Sequence, residues 1–314
     1  MVLTHCIANA TLPIMAGDKS KTDWGGEWTD QKLRAFEKYV KTYLKIMNVR
    51  REKNRWKLVY FDAFAGSGVR ETVNPSEQQR RFTEFGIEPD ECTVYKGAAE
   101  RVLSIEMPGF DYYYFIDRDE SANKTLRKKL LGGDTDDPRL QFRPGDANDY
   151  IARLGNHLQN NKHYKALVLL DPFGMQINWE ALTHLRGTST DLWVLVPSGM
   201  IIGRLLKKDG TLKYPKLLTN YFGFSEQEIL TCFYSEKTEK TLFGTETKRS
   251  KIEKPTRRIA EIYAERLQNV FKHVVEEPMV LRNSRGVPIY HFVFASNNQT
   301  ATKIANHIIG KENQ

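Results

Sequence analysis

The sequence contains few cysteines. Its 314 residues include only Cys6, Cys92 and Cys232, which lie far apart along the chain. An odd number of widely spaced cysteines provides neither a disulfide framework nor a C-x-x-C pair for a metal or an iron–sulfur cluster. We therefore expect a reducing, cytoplasmic environment and no metal site in this chain.

Long apolar runs are also missing. No stretch approaches the roughly 20 apolar residues that a membrane-spanning helix needs. Residues 1–21 lack the basic start and the compact hydrophobic segment of a secretory signal. These absences predict a soluble protein without a membrane partner.

Basic residues exceed acidic ones, 47 against 39, which gives a formal net charge of +8. Positive charge favours binding to nucleic acid, because each cation placed on a phosphate releases counterions. The basic clusters are short and interleaved with acidic residues, so solvated helix faces and loops are the alternative explanation. Nucleic acid remains one candidate partner.

Apolar patterning predicts an α/β fold. Residues 28–47 repeat apolar side chains at three- and four-residue steps, which indicates a first helix with Thr29 as a candidate N-cap. Five short apolar runs are typical of strands buried on both faces of a parallel sheet, at 57–62, 112–117, 140–143, 166–171 and 191–196. Four segments between them have helical patterns, at 98–104, 121–131, 147–158 and 179–185.

The end of the chain has a different pattern. Two strand-like runs, 274–281 and 288–295, flank a turn-rich segment and predict a hairpin, and a closing helix follows at 300–309. We interpret residues 1–27 as an N-terminal extension and 28–314 as one Rossmann-like domain. Two polar stretches, at about 69–96 and 204–255, are expected to be insertions at sheet edges.

The first chemical signal is a turn of small residues directly after the first strand, comprising Asp62, Ala63, Phe64, Ala65, Gly66, Ser67 and Gly68. Such residues allow a tight turn and a close approach of the backbone, whose amides can meet a carboxylate or phosphate. In an S-adenosylmethionine (SAM) site that ligand would be the methionine moiety, with Asp62 beside its ammonium. An ordinary strand-to-helix turn is the alternative. The turn lacks the third glycine of G-x-G-x-x-G, which argues against a nicotinamide dinucleotide.

Acidic residues end the next two predicted strands. Asp117, followed by Arg118, is placed to accept hydrogen bonds from ribose hydroxyls, as the acid of dinucleotide folds does. The alternative is that Asp117 caps the following helix. Asp119 is a second candidate both for binding the ribose and for capping. Asp146, with Ala147 and Asn148, is placed to hold an adenine, again with capping as the alternative.

The fourth signal follows the fourth strand. Asp171, Pro172 and Phe173 lie where open α/β sheets bind ligands. We predict Asp171 and Phe173 as catalytic residues, the first orienting a methyl acceptor and the second positioning it, with a structural turn as the alternative. Four such signals in order, each after a successive strand, predict a SAM pocket.

These motifs resemble a known family. Together with Trp28, Trp179, the Asp191–Trp193 segment and the ending 290–296, they are similar to the three-Cys-motif partner protein (TcmP) family of the class I SAM-dependent methyltransferases, over about residues 28–309. The resemblance implies a mostly parallel Rossmann-like sheet with an antiparallel last strand, SAM as cofactor, and a bacterial, cytoplasmic methyltransferase. It also implies a separate partner that carries the three cysteines and is similar to radical-SAM enzymes.

Two details qualify the resemblance. Lys96-Gly97-Ala98 stands where related sequences have Gly-Ser-Pro. The 171–174 segment resembles, imperfectly, the Asp-Pro-Pro-Tyr motif of enzymes that methylate exocyclic amines of bases, so methylation of a base or another amine is one interpretation.

Two other functions remain open. The chain is alternatively a catalytically silent accessory subunit that binds SAM or a nucleotide, or a nucleic-acid-binding module. The latter rests on the basic residues Lys254, Arg257, Arg258, Arg282 and Arg285. The histidines show no ligand spacing, and we predict that they are core or surface residues.

Overall fold

The computed structural model describes residues 27–68, 97–132, 136–241 and 244–313. The predicted extension (except Glu27), the insertion at 69–96, Cys6, Trp24 and Cys92 lie outside these residues. In chain order the strands are β1 Lys57–Asp62, β2 Tyr112–Asp117, β3 Leu140–Pro144, β4 Tyr164–Leu170, β5 Thr190–Val196, β6 Tyr234–Thr241, β7 Gly244–Lys251, β8 His273–Val274, β9 Met279–Arg282 and β10 Pro288–Ser296.

Helices connect and cover the strands. They are α1 Glu27–Asn54, α2 Ala98–Leu103, α3 Glu120–Leu131, α4 Ala147–Asn160, α5 Trp179–Thr183, α6 Pro215–Phe222, α7 Glu226–Phe233, α8 Pro255–Leu267 and α9 Gln299–Glu312. A π-helical turn, Ser198–Ile202, follows β5 and runs into a short helical turn, Gly203–Leu205.

The main sheet has the order β3-β2-β1-β4-β5-β10-β8, with β9 also paired to β10. Strands β1 to β5 are parallel, and β10 runs antiparallel to β5, β8 and β9. This confirms the predicted fold class, a mostly parallel Rossmann-like sheet with an antiparallel last strand. The carboxyl ends of β1 to β5 share one edge, so the residues that follow them are brought together there.

The core explains the apolar runs. In β4 every residue from Ala166 to Leu170 is buried, because helices cover both faces of the sheet. Helix α1 packs on one face through an aromatic cluster in which Tyr39 lies 5.5 Å from Trp193 and 4.8 Å from Phe294, between ring centroids. The buried stripe predicted from its periodicity is therefore the contact between helix and sheet.

Two local predictions are wrong. Helix α1 begins at Glu27, so Thr29 lies inside the helix rather than at its N-cap, and its side chain is buried. The single strand predicted at 274–281 is two strands, β8 and β9, separated by a segment that ends in Pro278. Proline has no amide hydrogen for the strand ladder, which accounts for the break.

The predicted insertion at 204–255 contains regular structure. It forms helices α6 and α7 and the antiparallel pair β6 and β7, a separate two-stranded sheet. Lys251, on β7, donates hydrogen bonds to the carbonyl oxygens of Gly203 (2.5 Å) and Leu206 (2.6 Å). These bonds connect the hairpin to the segment that follows β5.

Candidate functional site

A cleft of about 290 Å³ opens at the carboxyl ends of β1, β2 and β3, beside the loop after β4. Of the residues predicted from sequence, it is lined by Ala63, Phe64, Asp117, Arg118, Asp146, Ala147, Asn148 and Phe173. The others, namely Asp62, Ala65, Gly66, Ser67, Gly68, Asp171 and Pro172, do not line it. The fold therefore gathers about half of the predicted residues around one cavity.

Asp117 is held rigidly at the cleft wall. One carboxylate oxygen accepts a 2.8 Å hydrogen bond from the Gly66 amide and the other a 2.9 Å bond from the Asp119 amide. Each carboxylate oxygen has a second lone pair that remains available to a ligand. Asp119 instead caps α3, accepting from the amides of Ser121 and Ala122. The competition between the two carboxylates is thus resolved, with Asp117 at the cleft and Asp119 at the helix end.

Four amides of the small-residue turn already have acceptors within the protein. Ala63 donates to the Leu169 carbonyl of β4 and Ala65 to the Ile116 carbonyl of β2, at 3.2 and 2.9 Å. The amides of Phe64 and Gly66 donate to the carboxylates of Asp62 and Asp117. The expectation that the amides of the turn bind a ligand carboxylate is therefore wrong for these four, because the neighbouring strand ends supply their acceptors. Positive φ angles at Gly66 and Gly68, 61° and 67°, make this tight path accessible.

Asp146 caps a helix and also lines the cleft. It caps α4 by accepting a 2.8 Å bond from the Asn148 amide, and its other oxygen lies 3.0 Å from the exposed guanidinium of Arg118 at the cleft. The Asn148 side chain holds the neighbouring loop, since it donates to the Gln176 carbonyl and accepts from the Asn178 amide. Asn148 therefore shapes the wall of the cleft with polar atoms that already have protein partners.

Asp62 is buried at the end of β1. Its carboxylate accepts hydrogen bonds from the Phe64 amide (3.2 Å) and the Tyr60 hydroxyl (3.3 Å). Burial, with a smaller contribution from the negative charges of Asp171 and Asp117, raises the pKa of Asp62 to about 7 against the lowering effect of the two hydrogen bonds. Near neutral pH this carboxyl is thus poised between its neutral and charged forms.

Asp171 forms a buried ion pair that sequence reasoning missed. The ammonium of Lys32, on α1, lies 2.5 Å from Asp171 Oδ2, and the two side chains are 1% and 10% exposed. A signal was present, because Lys32 stands four residues from both Trp28 and Phe36, on the apolar stripe of the helix. A charged residue at a buried helical position requires a partner, and the loop after β4 supplies it.

Other groups at this edge are structural. His291 is buried, with Nδ1 2.5 Å from Ser198 Oγ, and burial lowers its pKa to about 4 with a smaller contribution from Arg282. Within the described ranges no group of three His, Cys, Asp or Glu side chains is placed to hold a metal ion. No helix in the same ranges is long and apolar enough to cross a membrane.

Comparisons with known proteins add little to this geometry. No family model and no curated protein matches the chain. Similar solved structures include the spermidine synthase of Thermotoga maritima, at 12% identity and a TM-score of 0.39, covering 89% of this chain. They also include a Legionella pneumophila protein at 11% identity and a TM-score of 0.39. That match covers 87% of this chain and 98% of the Legionella chain.

The chain spans 63% of the length of that spermidine synthase. Similarity at this level carries no functional inference, and the fold assignment rests on the strand order of this chain itself.

Proposed function

We propose that this chain binds SAM in the cleft and is a SAM-dependent methyltransferase. One observation carries the proposal: Asp117 and Asp146, at the ends of the adjacent strands β2 and β3, line the same cavity as the turn after β1. In this assignment Asp117 accepts hydrogen bonds from the ribose hydroxyls, and Asp146 faces the adenine amine. The methionine end extends from Ala63 and Phe64 towards Asp62.

The charges of these residues fit such a ligand. Asp62, Asp117 and Asp171 interact closely enough for the latter two to raise the pKa of the first. Lys32 compensates Asp171, and the remaining carboxyls of Asp62 and Asp117 favour a ligand with a sulfonium and an ammonium over a polyphosphate. The fixed orientation of Asp117 also lowers the entropic cost of holding two hydroxyls.

The cofactor supplies an electrophilic methyl group, and the protein supplies alignment. Phe173 lines the cleft, and Asp171 lies two residues before it. We assign Asp171 to orient the methyl acceptor and Phe173 to provide an apolar wall that excludes water. Both residues belong to the loop after β4, so one short segment positions them.

Isothermal titration with SAM and S-adenosylhomocysteine tests the proposal. We expect micromolar binding by the parent chain and a loss of at least about tenfold in Asp117→Ala and Asp146→Ala, the size of one charge-assisted hydrogen bond. Asp119→Ala is the matched control, because it removes a nearby carboxylate that caps α3. It should lose about 1 kcal/mol of stability and keep its affinity. A folded parent chain that binds neither compound overturns the proposal.

The resemblance to the TcmP family supports a second part of the proposal, action together with a three-Cys-motif protein similar to radical-SAM enzymes. Methyl transfer from labelled SAM should then require, or be accelerated by, that protein. If the chain binds SAM and the partner without transferring methyl to any acceptor, it is an accessory subunit instead.

A further inference from the structure

A second cavity, of about 420 Å³, lies on one face of the sheet, between helix α4 and the strands β1 and β2. We call it the tyrosine pocket. It is separate from the cleft, because the two cavities share no lining residue. A cavity of this size accommodates a small molecule or one unit of a larger one. Its polar lining is formed by Tyr112, Tyr114, Tyr150, Tyr164, Arg153 and His157.

The floor of the tyrosine pocket follows from the alternation of side chains along two paired strands. Tyr112 lies opposite Val59 and Tyr114 opposite Phe61 in the parallel ladder of β2 and β1. These four side chains share one face of the sheet, and Tyr113 points to the other face. Val59 and Phe61 are buried, whereas Tyr112 and Tyr114 are half-buried. The face of β2 is therefore only partly covered.

The tyrosine rings offer surfaces for stacking. Tyr112 and Tyr164 are stacked, with ring centroids 6.3 Å apart, and the ring of Tyr114 lies 6.3 Å from that of Phe61. Within the described residues, the hydroxyls of Tyr112, Tyr114 and Tyr164 have no hydrogen-bond partner. Such rings can pack against a planar ligand, while their hydroxyls meet the polar edge of that ligand.

The charged side chains at the tyrosine pocket are basic. The guanidinium of Arg153 lies 5.2 Å from the ring centroid of Tyr150 and has no carboxylate partner in the described part of the chain. Burial raises the pKa of Tyr114, and the positive charge of Arg143, exposed on β3, opposes this rise, so Arg143 is also close. Among the described residues, no aspartate or glutamate lines the pocket. The charges therefore favour an anionic ligand.

The tyrosine pocket adjoins the cleft. Gly145 lines the cleft, and a Cβ atom added to it would lie 2.9 Å from the ring of Tyr150. Tyr150 lines the tyrosine pocket, so this ring and the backbone of Gly145 separate the two cavities. A ligand in the tyrosine pocket would lie beside any ligand in the cleft.

We infer that the tyrosine pocket binds a nucleotide unit, with the base against the tyrosine rings and the phosphate at Arg153. Stacking surfaces beside a guanidinium without a partner match a planar ring that carries an anion. The size of the cavity and the formal charge of +8 favour a nucleotide over a smaller aromatic carboxylate. A free nucleotide and a single strand present the same chemistry. The inference goes beyond the proposed function and does not depend on SAM.

Titrations followed by saturation-transfer NMR on the full chain test the inference. The probes are uridine 5′-monophosphate, uridine, ribose 5-phosphate and benzoate. Uridine lacks the phosphate, ribose 5-phosphate lacks the base, and benzoate lacks the polar edge of a base. We therefore expect the nucleotide to bind about tenfold or more tightly than each of the others. No binding of the nucleotide, or equal binding of any other probe, overturns the inference.

Variants locate the bound nucleotide. Arg153→Gln and Tyr114→Leu should each weaken its binding about tenfold or more, and Arg153→Gln should leave the weaker binding of uridine unchanged. Tyr114→Phe keeps the ring and should keep most of the affinity. Arg127→Gln, at an exposed position of α3, is the matched control for the loss of one positive charge. Unchanged nucleotide binding by folded Arg153→Gln and Tyr114→Leu chains overturns the inference.

Two further measurements complete the test. Asp117→Ala alters the cleft and should not change binding of uridine 5′-monophosphate, whereas loss of that binding would move the nucleotide to the cleft and overturn the inference. An octamer of uridylate separates the two sources of the ligand. Binding at least about tenfold tighter than that of the mononucleotide assigns the pocket to a single strand, and Arg153→Gln should then reduce the salt dependence by about one phosphate contact. Equal or weaker binding of the octamer assigns the pocket to a free nucleotide.

Discussion

The Tyr39 hydroxyl donates a 2.7 Å hydrogen bond to Asp191, which joins α1 to the amino end of β5, at the sheet edge opposite the cleft. Ser296, on β10, donates a 2.5 Å bond to the other carboxylate oxygen. One buried carboxyl thus connects a helix and two strands. Burial raises the pKa of Asp191 to about 6, although both hydrogen bonds act in the opposite direction.

The raised pKa predicts a pH-dependent effect of Asp191→Asn. The folded chain binds the proton more tightly than the unfolded chain, so this carboxyl's contribution to stability is fully present below about pH 4. It is lost as the pH rises through 6. A shift from 3.8 to about 6 corresponds to roughly 3 kcal/mol. Asparagine mimics the protonated form, so the variant should gain about this amount relative to the parent between pH 4 and 7. Urea unfolding at both pH values measures it, and a pH-independent difference would contradict the assignment.

His291→Asn should show the opposite trend. The pKa of His291 is lowered to about 4, chiefly by burial, so its contribution to stability is present above about pH 6.5 and is lost as the pH falls through 4. Asparagine does not titrate in this range. The destabilisation caused by the variant should therefore be largest at pH 7 and shrink by roughly 3 kcal/mol at pH 4. The same urea series measures this change, and a penalty that grows at acid pH is the outcome that would rule it out.

Gly68→Ala should destabilise the chain by roughly 1 to 3 kcal/mol. Gly68 has a φ of +67°, and an added Cβ would lie 2.6 Å from the Cδ1 atom of the buried Leu126. Gly310→Ala, inside α9, is the control, since nothing lies within 4 Å of its added Cβ. It should stabilise by about 0.5 to 1 kcal/mol. Thermal unfolding of both variants decides whether the turn after β1 requires glycine.

Binding of S-adenosylhomocysteine should depend on pH through Asp62. Its pKa of about 7 means that a ligand ammonium meets a charged carboxylate only as the pH rises through neutrality. Affinity should therefore increase from pH 6 to about 8 and fall only at more alkaline pH, where the ligand's ammonium loses its proton. Asp62→Asn should bind more weakly and lose the rise on the acid side. Titration calorimetry across this range tests it, and a flat profile for the parent chain would exclude Asp62 from ammonium binding.

The sequence predicted the positions of the strands more reliably than the contacts that the strands make with distant parts of the chain. The apolar runs of β1, β2, β4 and β5 are continuous because both faces of these strands are buried, and this is a local property of the chain. The division of the predicted strand at 274–281 depends on Pro278 and on how far β10 extends, which involves contacts distant in sequence. The candidate residues Asp117 and Asp146 were predictable because each follows a strand.

The order of apolar runs and of the acids after them determined, without a structure, the fold class and the region of the candidate site. Tertiary structure decided which groups have partners. It directed the Ala63 and Ala65 amides to β4 and β2, assigned capping to Asp119, and paired Lys32 with Asp171 across 139 residues of sequence. Periodicity reports which face of an element is buried, whereas the partner of a buried charge depends on which elements the fold brings against that face.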